Sequence, residues 1–283
     1  MPLHKILNRI SIVAIYVLVI AGAIGFVLPL LWMIRTSLMP LWQMDIFPPQ
    51  WWPQTFNWQS YLQPWIELPF DVFYLNSSII AALTILGILF SGSITAYAFA
   101  RLQFPGRNVL FVILLSTMML PSQITLIPKY FLFSKMGWID TLKPLIVPHW
   151  FAVDAFYIFL MRQFFMNIPR DLEEAARIDG AGFLKTYWYI ILPLSRPVLA
   201  ICAMLIFTFT WSDFFDPLIY LNSQDHYTVP LGLTSYQERS YEGPSNIGKL
   251  MAMSLVSLLP VLILFFFGQR YFIKGISMQG VNR

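Results

Sequence analysis

Long stretches of this chain carry no charge at all. Residues 10–34, 72–100, 108–128 and 250–269 contain no Asp, Glu, Lys or Arg. Residues 144–161 contain only Asp154, and residues 197–212 are uncharged, with apolar character continuing past Asp213 and Asp216 to Leu221. A spanning helix needs about 20 apolar residues. The pattern therefore predicts an all-α membrane protein with six transmembrane helices, at about 11–34, 73–99, 108–128, 144–166, 196–221 and 250–270. Pro121 and Pro128 interrupt the third and can shorten it.

Composition agrees. The chain is 58% hydrophobic and 11% charged, with mean hydropathy +0.65. Soluble domains carry about a quarter charged residues. One cysteine, Cys202, lies within an apolar run and reads as a small core residue. The first apolar run has 25 residues, beyond the roughly 7–15 of a signal-peptide core. It is expected to be a retained helix.

Orientation follows from the basic residues. With the N-terminus inside, the internal segments hold 12 of the 18 Lys and Arg residues, from Lys5 and Arg9 to Arg283. The external segments hold Arg35, Lys129, Lys135, Lys143, Arg239 and Lys249. The excess of basic residues inside sets the direction of insertion. Both termini are then cytoplasmic, and so is the loop 162–196. The whole of 1–283 reads as a single transmembrane domain.

Two external segments are long. Residues 35–72 hold Trp42, Trp51, Trp52, Trp58, Tyr61 and Trp65 among several prolines. They fit an aromatic belt at the membrane interface and also a platform for an external partner. Residues 222–249 are polar and glycine-containing, and read as a loop able to reach a partner or ligand.

The cytoplasmic loop carries the densest signal. Pro169 suits a first helical turn. Asp171, Glu173 and Glu174 favour the positive end of a helix dipole, with Arg177 near the other end. Gly180 can take the left-handed conformation that ends a helix. A short helix is expected over about 170–179 and a second over about 183–190. On spacing alone, the segment is equally an amphipathic connector lying on the membrane.

This loop resembles the "EAA" loop of the membrane subunits of bacterial ABC importers. Glu174, Ala175, Ala176, Gly180, Ile190, Leu192 and Pro193 fill its fixed positions. Further along the chain, Asn76-Ser77, Ala96-Tyr97-Ala98-Phe99-Ala100-Arg101, Phe104-Pro105-Gly106-Arg107, Trp211-Ser212-Asp213-Phe214 and Tyr271-Phe272-Ile273-Lys274-Gly275 resemble the carbohydrate-uptake, maltose-type branch. Gly182 stands where that pattern usually has a small polar residue.

The resemblance implies the type I ABC importer permease fold. It also implies a role as the transmembrane subunit of an ATP-driven, binding-protein-dependent carbohydrate importer. The helix built from Asp171, Glu173, Glu174, Ala175, Ala176, Arg177, Asp179 and Gly180 would dock on a cytoplasmic ATPase and move the fourth and fifth spans. The expected partners are a second, homologous permease, two ATPase subunits that bind ATP and Mg, an external solute-binding protein and membrane lipid. Nothing points to nucleic acid. The expected location is the bacterial inner membrane, crossed several times.

No catalytic set, metal site or cofactor site is expected in this chain. Gly243–Leu250 matches seven positions of a phosphate-binding loop, but Leu250 replaces the Ser or Thr that would hold Mg²⁺. His4, His149 and His226 are scattered. Ionisable residues at membrane depth are costly and usually face a cavity. Asp154, Asp213 and Asp216 are candidates for a sugar path, with Trp150, Tyr157 and Trp211 able to stack on sugar rings. The same residues also fit helix–helix hydrogen bonding or proximity to the interface. The alternatives to an importer subunit are an ion-gradient-driven secondary transporter, which would need no ATPase dock, and a membrane enzyme, which would need a clustered catalytic set.

Overall fold

The computed structural model describes residues 3–44, 46–239 and 246–277, with side chains described between 11 and 269 apart from 45, 122 and 238–245. The principal helices are α1 (Leu3–Leu38), α2 (Phe70–Gly87), α3 (Ser93–Arg101), α4 (Arg107–Ser116), α5 (Ser122–Lys135), α6 (Ala155–Met166), α7 (Asp171–Ile178), α8 (Phe183–Thr186), α9 (Arg196–Ser212), α10 (Phe215–Tyr220), α11 (Val229–Arg239) and α12 (Ile247–Ser277). No strand occurs among the described residues. Residues 243–245 of the phosphate-loop-like stretch lie outside them, and residues 247–250 belong to α12. Among the described residues four helices are long and apolar enough to cross a membrane, and up to six if each of two bent pairs is one span.

The six-span expectation holds in number, and three of the spans are broken. The third, expected over 108–128, bends by 98° between Arg107–Met119 and Gln123–Lys135. Leu120 is extended because the ring of Pro121 excludes it from the helical region, whereas Pro128 is accommodated inside α5. The fourth, expected over 144–166, is interrupted between Phe151 and Ala155, where Ala152 takes a left-handed φ of 55°. The fifth, expected over 196–221, ends at Ser212 and resumes as α10. Ahead of it, Phe183–Leu194 meets Arg196–Ser212 at 74°. Pro197 sits in the first turn of α9, where its missing N–H costs nothing.

The chain divides into two compact units. The first holds residues up to Leu68 and Leu233–Leu258. Its α1 is 36 residues long, so about 54 Å, and residues 11–29 are exposed around the whole circumference. Burial against the rest of the unit begins where the apolar run ends. Fully buried Gln43 donates to Gln50 Oε1 (2.6 Å) and to the Trp52 carbonyl (2.9 Å), and accepts from the Gln54 N–H (2.9 Å). Arg35 donates to the Gln50 carbonyl (2.7 Å) and lies over the Trp32 ring. Glu67 binds Lys249 Nζ at 2.6 Å and accepts from Tyr236, whose ring is buried. Trp42, Trp51, Trp52 and Trp58 remain exposed, as an interfacial belt requires.

The second unit holds Pro69–Gly232 and the residues from Leu259 onward. Its main core joins α3, α6 and α9 through Ala96, Ala100, Ile158, Met161, Phe165, Cys202 and Ile206. Small residues such as Ala96 and Ala100 let helices approach where lipid supplies no hydrophobic drive. A widened π turn, Ile88–Gly92, joins α2 to α3. Gly87 precedes it, and a Cβ there would come within 2.6 Å of Trp150, so this packing requires glycine.

A second cluster, with Ile80, Phe133, Leu145, Tyr220 and Leu231, lies at the end of the unit expected to face outside. Asn76 donates to the carbonyls of Asp225 (2.9 Å) and Tyr227 (3.0 Å), and Ser77 accepts from the Val229 N–H (2.9 Å). Asp140 accepts from the Asn222 N–H (2.9 Å), the Ser223 N–H (2.8 Å) and the Ser223 hydroxyl. These bonds, led by the Ser223 hydroxyl, hold its carboxyl far below the usual carboxylate range.

A folded-state value depressed below the unfolded one gives stability that is present above the unfolded value, near 4, and lost only as pH falls through the folded one. The 220–227 loop should therefore keep its protection from hydrogen exchange down to about pH 4. Asp140→Ala should speed exchange across 220–227 at neutral pH while leaving 93–101 unchanged. Equal exchange in the variant and wild type would remove Asp140 from this role.

Candidate coupling helix and membrane cavity

The cytoplasmic loop folds as its composition dictates. α7 begins at Asp171, with Pro169 just ahead of the cap rather than inside the first turn. It ends in a Schellman motif: the Gly180 N–H reaches the Arg177 carbonyl (3.0 Å) and the Ala181 N–H reaches the Ala176 carbonyl (2.8 Å). Gly180 has φ 78°, which a side chain would strain. The second helix starts at Phe183 and widens into a π turn, Tyr187–Ile191.

α7 has two faces. Glu173 and Ala176 are buried, while Asp171, Leu172, Glu174, Ala175, Arg177, Ile178, Asp179 and Gly180 are exposed. Ile178 is 87% exposed, a large apolar side chain with no cover. Of the eight residues expected to face an ATPase, Glu173 and Ala176 instead face this chain. Glu173 Oε1 lies 2.9 Å from Arg101 Nε, with both side chains almost wholly buried. The Nε–H is not aligned for a hydrogen bond, so the contact is a Coulombic pair. The same guanidinium donates to the Ile168 carbonyl.

Two further contacts join the loop to α3. The Tyr97 hydroxyl donates to the Phe183 carbonyl (3.3 Å), and the Ser93 hydroxyl meets the Tyr187 hydroxyl at 2.6 Å. Ser93, Tyr97 and Arg101 are four residues apart and so lie on one helical face. This ladder is visible in the sequence as polar groups at i, i+4 and i+8 on an otherwise apolar helix. Sequence reasoning misses its role because its partners are about 70–95 residues away.

The second feature is a cavity of about 400 Å³ inside the second unit. Asp154, Tyr157, Asp213 and Asp216 line it. The other two path candidates do not. Trp150 packs against Gly87 and lies 6.3 Å from the Phe90 ring. Trp211 is buried, stacked on Phe207 at 5.3 Å and edge-on to Tyr74. Trp211 is thereby spent on packing, whereas Trp150 keeps an exposed edge away from the cavity lining.

The breaks in the fourth and fifth spans both contribute residues to this cavity. Asp154 immediately precedes α6, and its Oδ2 lies 2.8 Å from His149 Nδ1. Ser91 accepts from the Ala152 N–H (3.2 Å) in the same break. Asp213 Oδ1 accepts from the N–H groups of Phe215 (3.1 Å) and Asp216 (3.3 Å), capping α10. His149 also lines the cavity, although in the sequence it reads as one of three scattered histidines. Its nearness to Asp154, between Pro148 and an αL Ala152, is the available signal. Non-helical backbone at membrane depth survives only where it is covered by protein or lines a cavity. No group of His, Cys, Asp and Glu among the described residues fits a metal ion.

Residues 87–278 match the family described as binding-protein-dependent transport system inner membrane component. The chain belongs to this family. It is 30% identical over 270 residues to the probable ABC transporter permease protein YurM of Bacillus subtilis, covering 95% of this chain and 88% of that one. It is 34% identical over 209 residues to the arabinooligosaccharides transport system permease protein AraQ of the same organism, covering 74% and 73%. Its fold is similar to a chain in the crystal structure of a bacterial ABC transporter involved in import of the acidic polysaccharide alginate, with TM-score 0.82 and 24% identity, over 94% of this chain and 97% of that one. The permease is thus a multi-pass inner membrane component of an ABC transporter, with the type I importer fold. The secondary-transporter alternative gains no support.

Within this permease, the Arg101–Glu173 pair predicts a stability pattern. Removing one partner of a buried pair leaves an uncompensated charge and costs about 3–5 kcal/mol. Arg101→Met and Glu173→Met should each lower the melting temperature of the complex in detergent. Arg101→Met combined with Glu173→Met should recover much of that loss. Additive loss in the double variant would mean that the two residues act separately.

Proposed function

We propose that this permease, acting over 1–283 as one transmembrane domain, is a non-catalytic subunit of an ATP-driven carbohydrate importer in the bacterial cytoplasmic membrane. A second, homologous permease completes the pore. Two cytoplasmic ATPases bind ATP and Mg, and an external binding protein delivers the sugar. The carbohydrate assignment is supported by the arabinooligosaccharide relative and by the maltose-type motifs.

One observation carries the coupling role. α7 is clamped to the membrane helices by Glu173 while Glu174, Ala175 and Ile178 are left bare on the outer face. Ala175 lets another surface approach closely, Ile178 supplies an apolar anchor, and Glu174 can accept from a donor in the ATPase cleft. When the ATPases close, α7 moves with them. The contacts at Ser93, Tyr97 and Arg101 pass that displacement to the second span as well as to the fourth and fifth. Two discrete packings of such rigid elements form a switch between inward-open and outward-open states. The cavity lined by Asp154, Tyr157, Asp213 and Asp216 is the substrate path.

Glu174→Lys replaces an exposed side chain, so stability should change by less than about 0.5 kcal/mol. Transport in proteoliposomes should nevertheless fall at least about tenfold while ATP hydrolysis continues, a loss of about 1.4 kcal/mol in coupling. Gly180→Pro, incompatible with φ 78°, should do the same by distorting the cap. Normal transport by either variant in an intact complex would rule out α7 as the coupling element.

A further inference from the structure

The geometry points to a lipid site on the second unit: Arg107 and Arg162 form a seat for the phosphate of an anionic phospholipid in the cytoplasmic leaflet. The leaflet follows from the orientation read from the basic residues. Arg107 opens α4, on the third span, and Arg162 belongs to α6, on the fourth. The Arg162 guanidinium lies 4.1 Å over the Phe111 ring. Phe111 is one turn along α4 from Arg107, so both cations lie against one face of that helix. Backbone carbonyls aim them. Arg162 Nε donates to Phe99 (3.3 Å), and Arg107 Nη1 donates to Leu102 (3.1 Å).

Carbonyls and rings orient a guanidinium but leave its charge in place. No carboxylate offsets these two. Neither arginine is in an ion pair among the described residues, and residues 102–139 and 155–170 contain no Asp or Glu. Arg107 is instead close enough to Arg162 for their like charges to repel. Arg101 shows the contrast, because Glu173 meets its charge at 2.9 Å. Two fixed forks of N–H donors without an acid suit the several oxygens of a phosphodiester. The surroundings select a lipid over a soluble phosphate. Beside Arg107 is an open cleft of about 380 Å³, with Phe104, Gly106, Asn108 and Val109 in its wall. From Val109, the exposed apolar flank of α4 continues through Val112 and Ile113, three and four residues on. A headgroup over Arg107 then has its acyl chains beside a surface suited to hydrocarbon. Basic pockets between spans on the cytoplasmic side recognise anionic headgroups in this way.

The test uses the assembled importer complex in nanodiscs that contain a photoactivatable phosphatidylglycerol. Labelled peptides are located by mass spectrometry. Label should fall within residues 103–113 and on the peptide that holds Arg162. Unlabelled phosphatidylglycerol should displace it at least about fivefold better than phosphatidylcholine with the same acyl chains, the scale of one basic contact. Arg107→Gln with Arg162→Gln should cut the label at these peptides at least about fivefold. Arg107→Lys with Arg162→Lys, which keeps both charges, should retain more of it. If the glutamine pair does not assemble, Arg107→Gln alone carries the comparison, since Arg107 is only partly buried.

Equal displacement by phosphatidylcholine would overturn the charge selection and leave ordinary lipid contact. Equal loss of label in the lysine and glutamine pairs would do the same. Loss of the label on adding inorganic phosphate would overturn the lipid in favour of a soluble anion. Labelling of these peptides that is unchanged in the glutamine variants, or label confined to other peptides, would overturn the site itself.

Discussion

The buried pair of Arg101 and Glu173 is the constraint around which the cytoplasmic side of this permease is arranged. Burying two charges is expensive, and a hydrophobic pair of similar size would often be as stable. Its value lies in geometry. Hydrophobic contacts allow an eight-residue helix to slide or roll, whereas pulling a charge pair apart in a dry site leaves each charge uncompensated, which holds the helix in place. Because Glu173 is fixed, helical periodicity dictates that Glu174, Ala175 and Ile178 point away. Tyr97 and Ser93 repeat the attachment one and two turns further into the membrane. A lever works only if its short arm is fastened, and these three residues are the fastening.

The fold was legible in the sequence to the level of spans. Charge gaps located all six, and the helix propensities of 170–190 located α7, its glycine stop and the helix that follows. Charge gaps carry no information on straightness, so the breaks near residues 120, 152 and 213 were less visible. Only Pro121 signalled its own break. Asp213 reads as a charged residue in a span when it is also the cap of a new helix, and sequence does not separate these two roles. Glu173 and Glu174 are adjacent carboxylates with opposite fates. The partner that separates them, Arg101, lies on another span, beyond the reach of local pattern. Trp150 and Trp211 lie outside the cavity lining for a similar reason: each packs on neighbours that spacing does not reveal.

The breaks in the fourth and fifth spans have a shared logic. A helix interrupted within a membrane exposes backbone groups that lipid cannot satisfy. Here the Ser91 hydroxyl and the Asp213 oxygen cover several backbone N–H groups at the breaks, and the His149–Asp154 pair adds to the polar lining of the cavity. The same carboxylates that make broken helices tolerable also set the chemistry of the space between them. Structural and functional explanations of Asp213 are therefore not rivals.

The bare surface of α1 bears on how the chain is made. Residues 11–29 are exposed within this chain and all apolar or small, so this helix, apart from the one carbonyl that Pro29 leaves without an N–H, satisfies its own backbone as lipid requires. It can enter the bilayer first, as a finished element, while the ribosome is still producing the rest. The broken third, fourth and fifth spans cannot do this. Their interrupted backbones become acceptable only once neighbouring segments have arrived to cover them. Assembly of this permease is then expected to proceed in order along the chain, with an independent anchor at its start and its most interdependent part at its centre.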